Sequence, residues 1–220
     1  MKHLPNLLTL MNAALGCVAL YFVADLELSS AMYCVLLAAF FDLFDGLLAR
    51  RLGVSGALGT QLDSLADLIS FGVVPGAVAT VLLSMSGLDN HAVLFGFAIT
   101  LGAVYRLAVF NTKKDKEDHF KGLPTPANAL FWLGLPLLTT EISYWELLFM
   151  IVLSTYMLNS SLLFLRIKIR KHTASNIGLM IAVLGTIVIF LIFGWAALSP
   201  VLAAYLVVSV LFTAYKKLKS

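Results

Sequence analysis

The fifteen lysines and arginines of this 220-residue chain avoid its apolar runs almost completely. Apolar stretches lie at roughly 5–24, 30–50, 57–84, 91–112, 126–140, 144–165, 174–195 and 198–215, most of them near the ~20 residues that cross a bilayer as a helix. The basic residues sit at Lys2, at Arg50 and Arg51, between Arg106 and Lys121, between Arg166 and Lys171, and from Lys216 to Lys219. They therefore follow the second, fourth and sixth runs or lie at the ends. The remaining connections carry Asp25, Glu27, Asp89, Glu141 and Glu146, and no lysine or arginine. Under the positive-inside rule this alternation predicts an even number of spans with both termini cytoplasmic.

Composition agrees. The chain is 60% hydrophobic and 12% charged, against about half and about a quarter for a soluble domain. The expected fold class is all-α: a polytopic membrane helix bundle of about eight transmembrane helices, forming a single integral membrane domain over residues 1–220. The expected location is the cell membrane, multi-pass. Met1–Asn6 runs directly into the first apolar stretch, which reads as a retained span and not a cleaved signal. Cys17 and Cys34 lie within apolar runs and read as buried free thiols. A net charge of +3 gives no reason to expect a nucleic-acid partner.

Within this apolar background one stretch is anomalous. Asp42, Asp45, Gly46, Ala49 and Arg50 fall at i, i+3, i+4, i+7 and i+8, a single helical stripe. Gly59, Asp63 and Asp67 fall at i, i+4 and i+8 of the next helix. Arg51-Leu-Gly53-Val-Ser55-Gly56 between them is a helix stop and restart. Two antiparallel helices, at about 30–84, would aim four carboxylates at one another beneath the cytoplasmic surface. Asp42 lies eight residues before Arg50, which is ~12 Å at the helical rise. Carboxylates inside a membrane helix are costly and normally face a partner. Arg50 is the one cation on the stripe, so hard divalent cations with oxygen ligands are the economical counterpart. Two such ions could clamp a phosphate. Gly46, Ala49 and Gly59 leave room for close helix approach or a ligand.

The pattern Asp42-x2-Asp45-Gly46-x2-Ala49-Arg50-x8-Gly59-x3-Asp63-x3-Asp67 resembles, at every position, the signature of the CDP-alcohol phosphotransferase family. The resemblance implies a membrane enzyme that transfers a phosphatidyl or phospho-alcohol group from a CDP-linked donor to an alcohol and releases CMP. It implies two divalent cations, Mg²⁺ or Mn²⁺, held by Asp42, Asp45, Asp63 and Asp67, with Asp67 also activating the acceptor hydroxyl. It places Gly46, Ala49, Arg50 and Gly59 around the CDP moiety. Physical chemistry agrees, because an alcohol is a weak nucleophile at neutral pH and needs a positioned base.

Further short stretches bear on the acceptor. Pro5-Asn6-Leu-Leu-Thr9-Leu-Met-Asn12 forms a polar stripe on the first run, with Asn6 and Thr9 assigned to CDP and Asn12 to the acceptor. Ser70, in Ser70-Phe-Gly-Val-Val-Pro75, lies one turn beyond Asp67. Arg106, in Arg106-Leu-Ala-Val-Phe-Asn111, is an intramembrane arginine and hence a site candidate. Lys121 precedes Gly122-Leu-Pro-Thr-Pro126. Together these stretches resemble the phosphatidylserine-forming branch of the family. That implies CDP-diacylglycerol as donor, L-serine as acceptor, and Asn12, Ser70, Arg106, Asn111 and Lys121 as acceptor-binding residues. Val109 departs from that branch, which often has a second arginine there. Membrane lipids are expected around the bundle, and a homodimer is the expected assembly. Glycerol 3-phosphate or an inositol phosphate is the alternative acceptor, although a phosphate would call for more cations than Arg106. A divalent-cation transporter is the remaining alternative, but no acidic ladder continues to the opposite face. The C-terminal helices at about 144–217 receive no role.

Overall fold

The structure, a computed structural model, describes residues 3–54, 56–87, 90–112, 122–138, 141–160, 199–201 and 203–204. Among these residues all regular structure is helical. Helix α1 (Leu4–Ala24) carries Pro5 in its first turn, where the missing N–H removes no helical bond. A tight link with Leu26 at φ 62° returns the chain as α2 (Leu28–Leu52). Gly53 ends α2 at φ 63°, a left-handed conformation that costs glycine nothing. Its N–H donates to Arg50 O at 3.4 Å, and that of Val54 to Ala49 O at 3.1 Å, satisfying carbonyls left open at the helix end. Arg50 and Arg51 occupy this last turn, where cations offset the helix dipole. The stop expected from the sequence is where the structure has it.

The next run was expected to be one regular helix. Instead α3 (Ala57–Asp67) passes through a π-helical segment, Leu68–Val73, into α4 (Val74–Met85). Pro75 supplies the reason: it lacks an N–H, and its ring crowds the carbonyl four residues back. The wider π turn places Pro75 in the first turn of α4, where proline is tolerated. Thr100 Oγ1 donates to Gly72 O at 2.9 Å and serves a carbonyl of the widened turn. The following run also departs from a regular helix. It begins as a 3₁₀ segment, Asn90–Phe97, and becomes α5 (Ala98–Thr112). The tighter turn lays Gly96 against Thr80, where a Cβ would stand 2.5 Å from the Thr80 nitrogen.

Helices α6 (Thr125–Leu138) and α7 (Tyr144–Asn159) follow. Ser143 and Glu146 cap α7 reciprocally, with Ser143 N–H donating to Glu146 Oε2 at 2.9 Å. The sixth apolar run was expected to continue to about 165, but α7 stops at Asn159 and Ser160 is extended. Its last carbonyls are taken by other elements: Leu123 N–H donates to Met157 O, and Arg106 Nη1 to Leu158 O, each at 2.9 Å. Among the described residues four helical stretches, Leu4–Ala24, Leu28–Leu52, Ala57–Met85 and His91–Thr112, are long and apolar enough to cross a membrane. They coincide with the first four expected spans. At 14 and 16 residues, α6 and α7 match the fifth and sixth in place but are shorter than a full span. The seventh and eighth expected spans lie outside the described residues apart from 199–201 and 203–204.

The α3–π–α4 run is the hub. It touches α1, α5 and α6, while α1 lies along α2 and α5 packs against α7. Small residues at the contacts, Ala19, Ala31 and Ala38, are fully buried, and Phe71, Trp132 and Ile151 fill the core. Leu43, Leu65 and Leu101 remain well exposed, the outward apolar surface that a lipid-facing helix carries. The consequence for the site is placement. The start of α1, the end of α2 and the start of α3 lie at one end of the bundle, with the hub running on beneath them.

Candidate active site

The antiparallel pair α2–α3 brings the acids together. Asp42, Asp63 and Asp67 each present a carboxylate oxygen within 4.8 Å of those of the other two. All three side chains are half-buried. Three carboxylates, acceptor-only when ionised, repel one another strongly at this separation where water is scarce. A hard cation with oxygen ligands satisfies such a set. The convergence of three carboxylates from two helices is therefore the observation that fits a divalent ion here.

Asp45 is set apart from the other acids. It is 3% exposed, and Thr9 Oγ1 donates to its Oδ2 at 2.5 Å. Thr9 belongs to α1 and is itself buried. The hydroxyl of Thr9, expected from the sequence at CDP, is engaged here with the carboxylate one helical turn from Asp42. Asn6, one turn before it, lies beside Gly59: a Cβ on that glycine would come 3.6 Å from Asn6 Oδ1. The Arg50 guanidinium folds back over Gly46, where a Cβ would be 3.9 Å from Nη2. Ala49 is half-buried on the same helix. Asn6, Gly46, Ala49, Arg50 and Gly59 thus belong to the helix ends beside the acids.

The residues assigned to the acceptor separate into distinct groups. Asn12 and Ser70 are both fully buried. Asn12 Nδ2 donates to Asp67 Oδ1 at 3.3 Å, and Ser70 Oγ donates to the Asn12 carbonyl at 2.9 Å. They form a support behind Asp67, not an open contact surface. Asn111, on α5, reaches α3: its Nδ2 donates to Ser64 Oγ at 2.9 Å. Ser64 sits directly after Asp63 and had not been singled out. Its only sequence signal is that position beside the acidic stripe.

Arg106 has a second set of neighbours. Gly102 and Arg106 share the α7-facing side of α5, with Gly102 against Thr155 and Leu158 and Arg106 Nη1 donating to Leu158 O. Ala103 and Asn111 occupy the side facing the π segment and α3. The guanidinium also lies against the Gly122 turn, where a Cβ would stand 2.6 Å from Nη1. Arg106 therefore caps the C-terminal end of α7 and steadies the turn before α6. Lys121 lies outside the described residues.

The profile of the CDP-alcohol phosphatidyltransferase family matches residues 2–215. The CDP-diacylglycerol–serine O-phosphatidyltransferase of Bacillus subtilis is 29% identical over 80% of this chain and 97% of its own length. The enzyme of the same name from Helicobacter pylori is 29% identical over 94% of this chain and 89% of its own. An archaetidylserine synthase of Methanothermobacter thermautotrophicus is 36% identical over 58% of this chain and 54% of its own.

Proposed function

The chain belongs to the CDP-alcohol phosphatidyltransferase family, and from that premise we propose that it is a CDP-diacylglycerol–serine O-phosphatidyltransferase. The observation that carries this reading is the convergence of Asp42, Asp63 and Asp67 between α2 and α3. The relatives named for the serine reaction support the choice of acceptor.

In this reading the serine hydroxyl oxygen attacks the phosphatidyl phosphorus of CDP-diacylglycerol. The bond from that phosphorus to the oxygen bridging to CMP breaks, and CMP leaves with the electron pair. The hydroxyl proton passes to Asp67 Oδ2, the carboxylate oxygen not engaged by Asn12. Phosphatidylserine and CMP are the products. Asp42, Asp63 and Asp67 would hold a divalent cation, Mg²⁺ or Mn²⁺, and Asp45, oriented by Thr9, would complete the set for a second. Such ions would supply charge neutralisation for the diphosphate and for the leaving group. Gly46, Ala49, Arg50 and Gly59 accommodate the nucleotide, with Asn6 beside Gly59. Asn111 approaches the acceptor from α5. Arg106, whose guanidinium has donors besides the one given to Leu158 O, and Lys121 supply cations for the serine carboxylate.

The alternation of charge along the sequence supports the wider arrangement: one bundle of about eight spans, both termini cytoplasmic, and the aspartates opening toward the cytoplasm. There a water-soluble amino acid meets a lipid donor whose acyl chains stay in the bilayer. The decisive experiment is CMP release by the purified protein with CDP-diacylglycerol, Mg²⁺ and a panel of acceptors. Serine-dependent release is expected. Release with glycerol 3-phosphate and none with serine would overturn the acceptor. Asp67→Asn should lower turnover by about 10²–10⁴-fold, the contribution of a positioned base, while CDP-diacylglycerol still binds.

A further inference from the structure

Asn12 is buried more completely than its partners require. The side chain is 0% exposed, and only half of its amide is used. Nδ2 donates to Asp67 Oδ1 at 3.3 Å, whereas Oδ1 is buried without a hydrogen-bond partner. An unmet acceptor in the interior costs folding stability. An apolar side chain of the same shape would avoid that cost, so the residue is poorly explained as packing. What it does supply is a donor aimed at one oxygen of Asp67.

The backbone around it is held with equal care. Ser70, in the π segment that begins directly after Asp67, donates to the Asn12 carbonyl at 2.9 Å. One helical turn further along α1, Gly16 forms the notch that admits this contact. A Cβ there would stand 2.5 Å from Ser70 Oγ and 2.9 Å from Ile69 Cγ2. So α1 meets the end of α3 at three places: the amide on the carboxylate, the carbonyl under the π turn, and the glycine that lets the helices close. The π turn rotates Ser70 onto α1 while Asp67 remains on the acidic stripe.

We propose that Asn12 is a positioning residue for Asp67, locked by Ser70 across the Gly16 notch, and that it orients the carboxylate so that Oδ2 faces the acceptor hydroxyl. The inference rests on the reading of Asp67 as the acceptor's base. Asn12 does not touch the substrate. It acts by denying the carboxylate its other rotamers, and a misplacement of about 1 Å in such a group costs on the order of a hundredfold in rate.

The test is Asn12→Leu in the full chain, purified in detergent and assayed with CDP-diacylglycerol, Mg²⁺ and serine. The expected result is a kcat at least thirtyfold lower, a KM for CDP-diacylglycerol within threefold of the parent, and a melting temperature equal or higher. A residue that served only packing would give the opposite: lower thermal stability and a normal kcat in the folded fraction. That outcome, or a kcat within threefold of the parent, overturns the proposal. Asn12→Asp keeps the shape but replaces the donor with an acceptor, and it should lose more kcat than Asn12→Leu; an active Asn12→Asp overturns the proposal independently. Ser70→Ala, which keeps the Asn12 side chain and removes its anchor, should give an intermediate kcat. It preserves the test if Asn12→Leu fails to fold, since an unchanged kcat in Ser70→Ala overturns the lock. Asp67→Asn separates the two readings. If it remains active, the base assignment falls; if it is inactive while Asn12→Leu is normal, only the positioning role falls.

Discussion

Two groups of polar side chains lie within this apolar bundle, and they are built on opposite principles. Between α5, α6 and α7 the groups are mixed donors and acceptors that bond to one another or to main-chain carbonyls. Trp132 Nε1 donates to Ser154 Oγ at 3.1 Å, and Ser154 in turn donates to Asn128 Oδ1. Asn159 Nδ2 donates to Gly102 O at 3.1 Å, and Arg106 Nη1 to Leu158 O at 2.9 Å. Between α2 and α3 the groups are acids, all of them acceptors when ionised, turned toward one another. The first set joins helices through donor–acceptor pairs, with Asn128 Nδ2 left without a partner at its edge. The second has more acceptors than the donors from Thr9 and Asn12 can serve, an imbalance that a cation would offset. Burial of polarity alone does not mark a site in a membrane protein; the balance of donors and acceptors does.

The largest expected effect breaks this comparison at its acidic side. Stripping divalent cations with EDTA should abolish CMP release, and adding Mg²⁺ or Mn²⁺ should restore it. The same treatment should lower the melting temperature, because the carboxylates then face each other uncompensated. The α5–α7 set contains no grouping of acids and should be indifferent. Full activity in EDTA would show that the convergence of Asp42, Asp63 and Asp67 serves only to join helices.

A smaller effect sharpens the distinction within the acids. Asp45 differs from the other three in having a strong donor, Thr9, at 2.5 Å. Thr9→Val keeps the shape and removes that donor from a carboxylate that is only 3% exposed. Hydrogen bonds to charged groups contribute about 1.5–3 kcal/mol, so turnover should fall about tenfold, with a higher Mg²⁺ concentration needed for half-maximal rate. An unchanged Mg²⁺ dependence would separate Thr9 and Asp45 from the metal-holding set.

What the sequence disclosed and what it did not follow from the same contrast. Asp42, Asp45, Asp63 and Asp67 were legible because acids are rare in apolar helices and their spacing repeats with the helical turn. The Gly53 stop was legible because glycine after two arginines is a local signal. The π turn was not foreseen, although Pro75 was in view. Its geometry depends on Ser70 meeting α1 and Gly72 meeting Thr100, contacts between residues 58 and 28 positions apart. Ser70 and Asn12 were read as facing a substrate because polarity one turn from an acid allows that; only packing shows both fully buried. Arg106 reads as a site candidate because an intramembrane arginine calls for a partner. One partner in the structure is the Leu158 carbonyl, and no residue-type pattern reveals a main-chain acceptor on a distant helix.

The smallest expected effect belongs to the α5–α7 region. Asn159 Nδ2 lies 3.1 Å from Gly102 O and 3.2 Å from Thr155 O, so a single amide spans α5 and α7. Asn159→Leu removes that bond but leaves no acid stranded and no cation unheld. Interhelical hydrogen bonds within membranes contribute about 0.6 kcal/mol on average, which corresponds to a fall of roughly 1–2 °C in melting temperature for a chain of this size. Serine-dependent CMP release should stay within about twofold of the parent. If activity instead fell tenfold with the melting temperature intact, the α5–α7 contact would be transmitting to the site. The route would be α5 itself, because Asn159 holds Gly102 on one side of that helix and Asn111 holds Ser64 from the other.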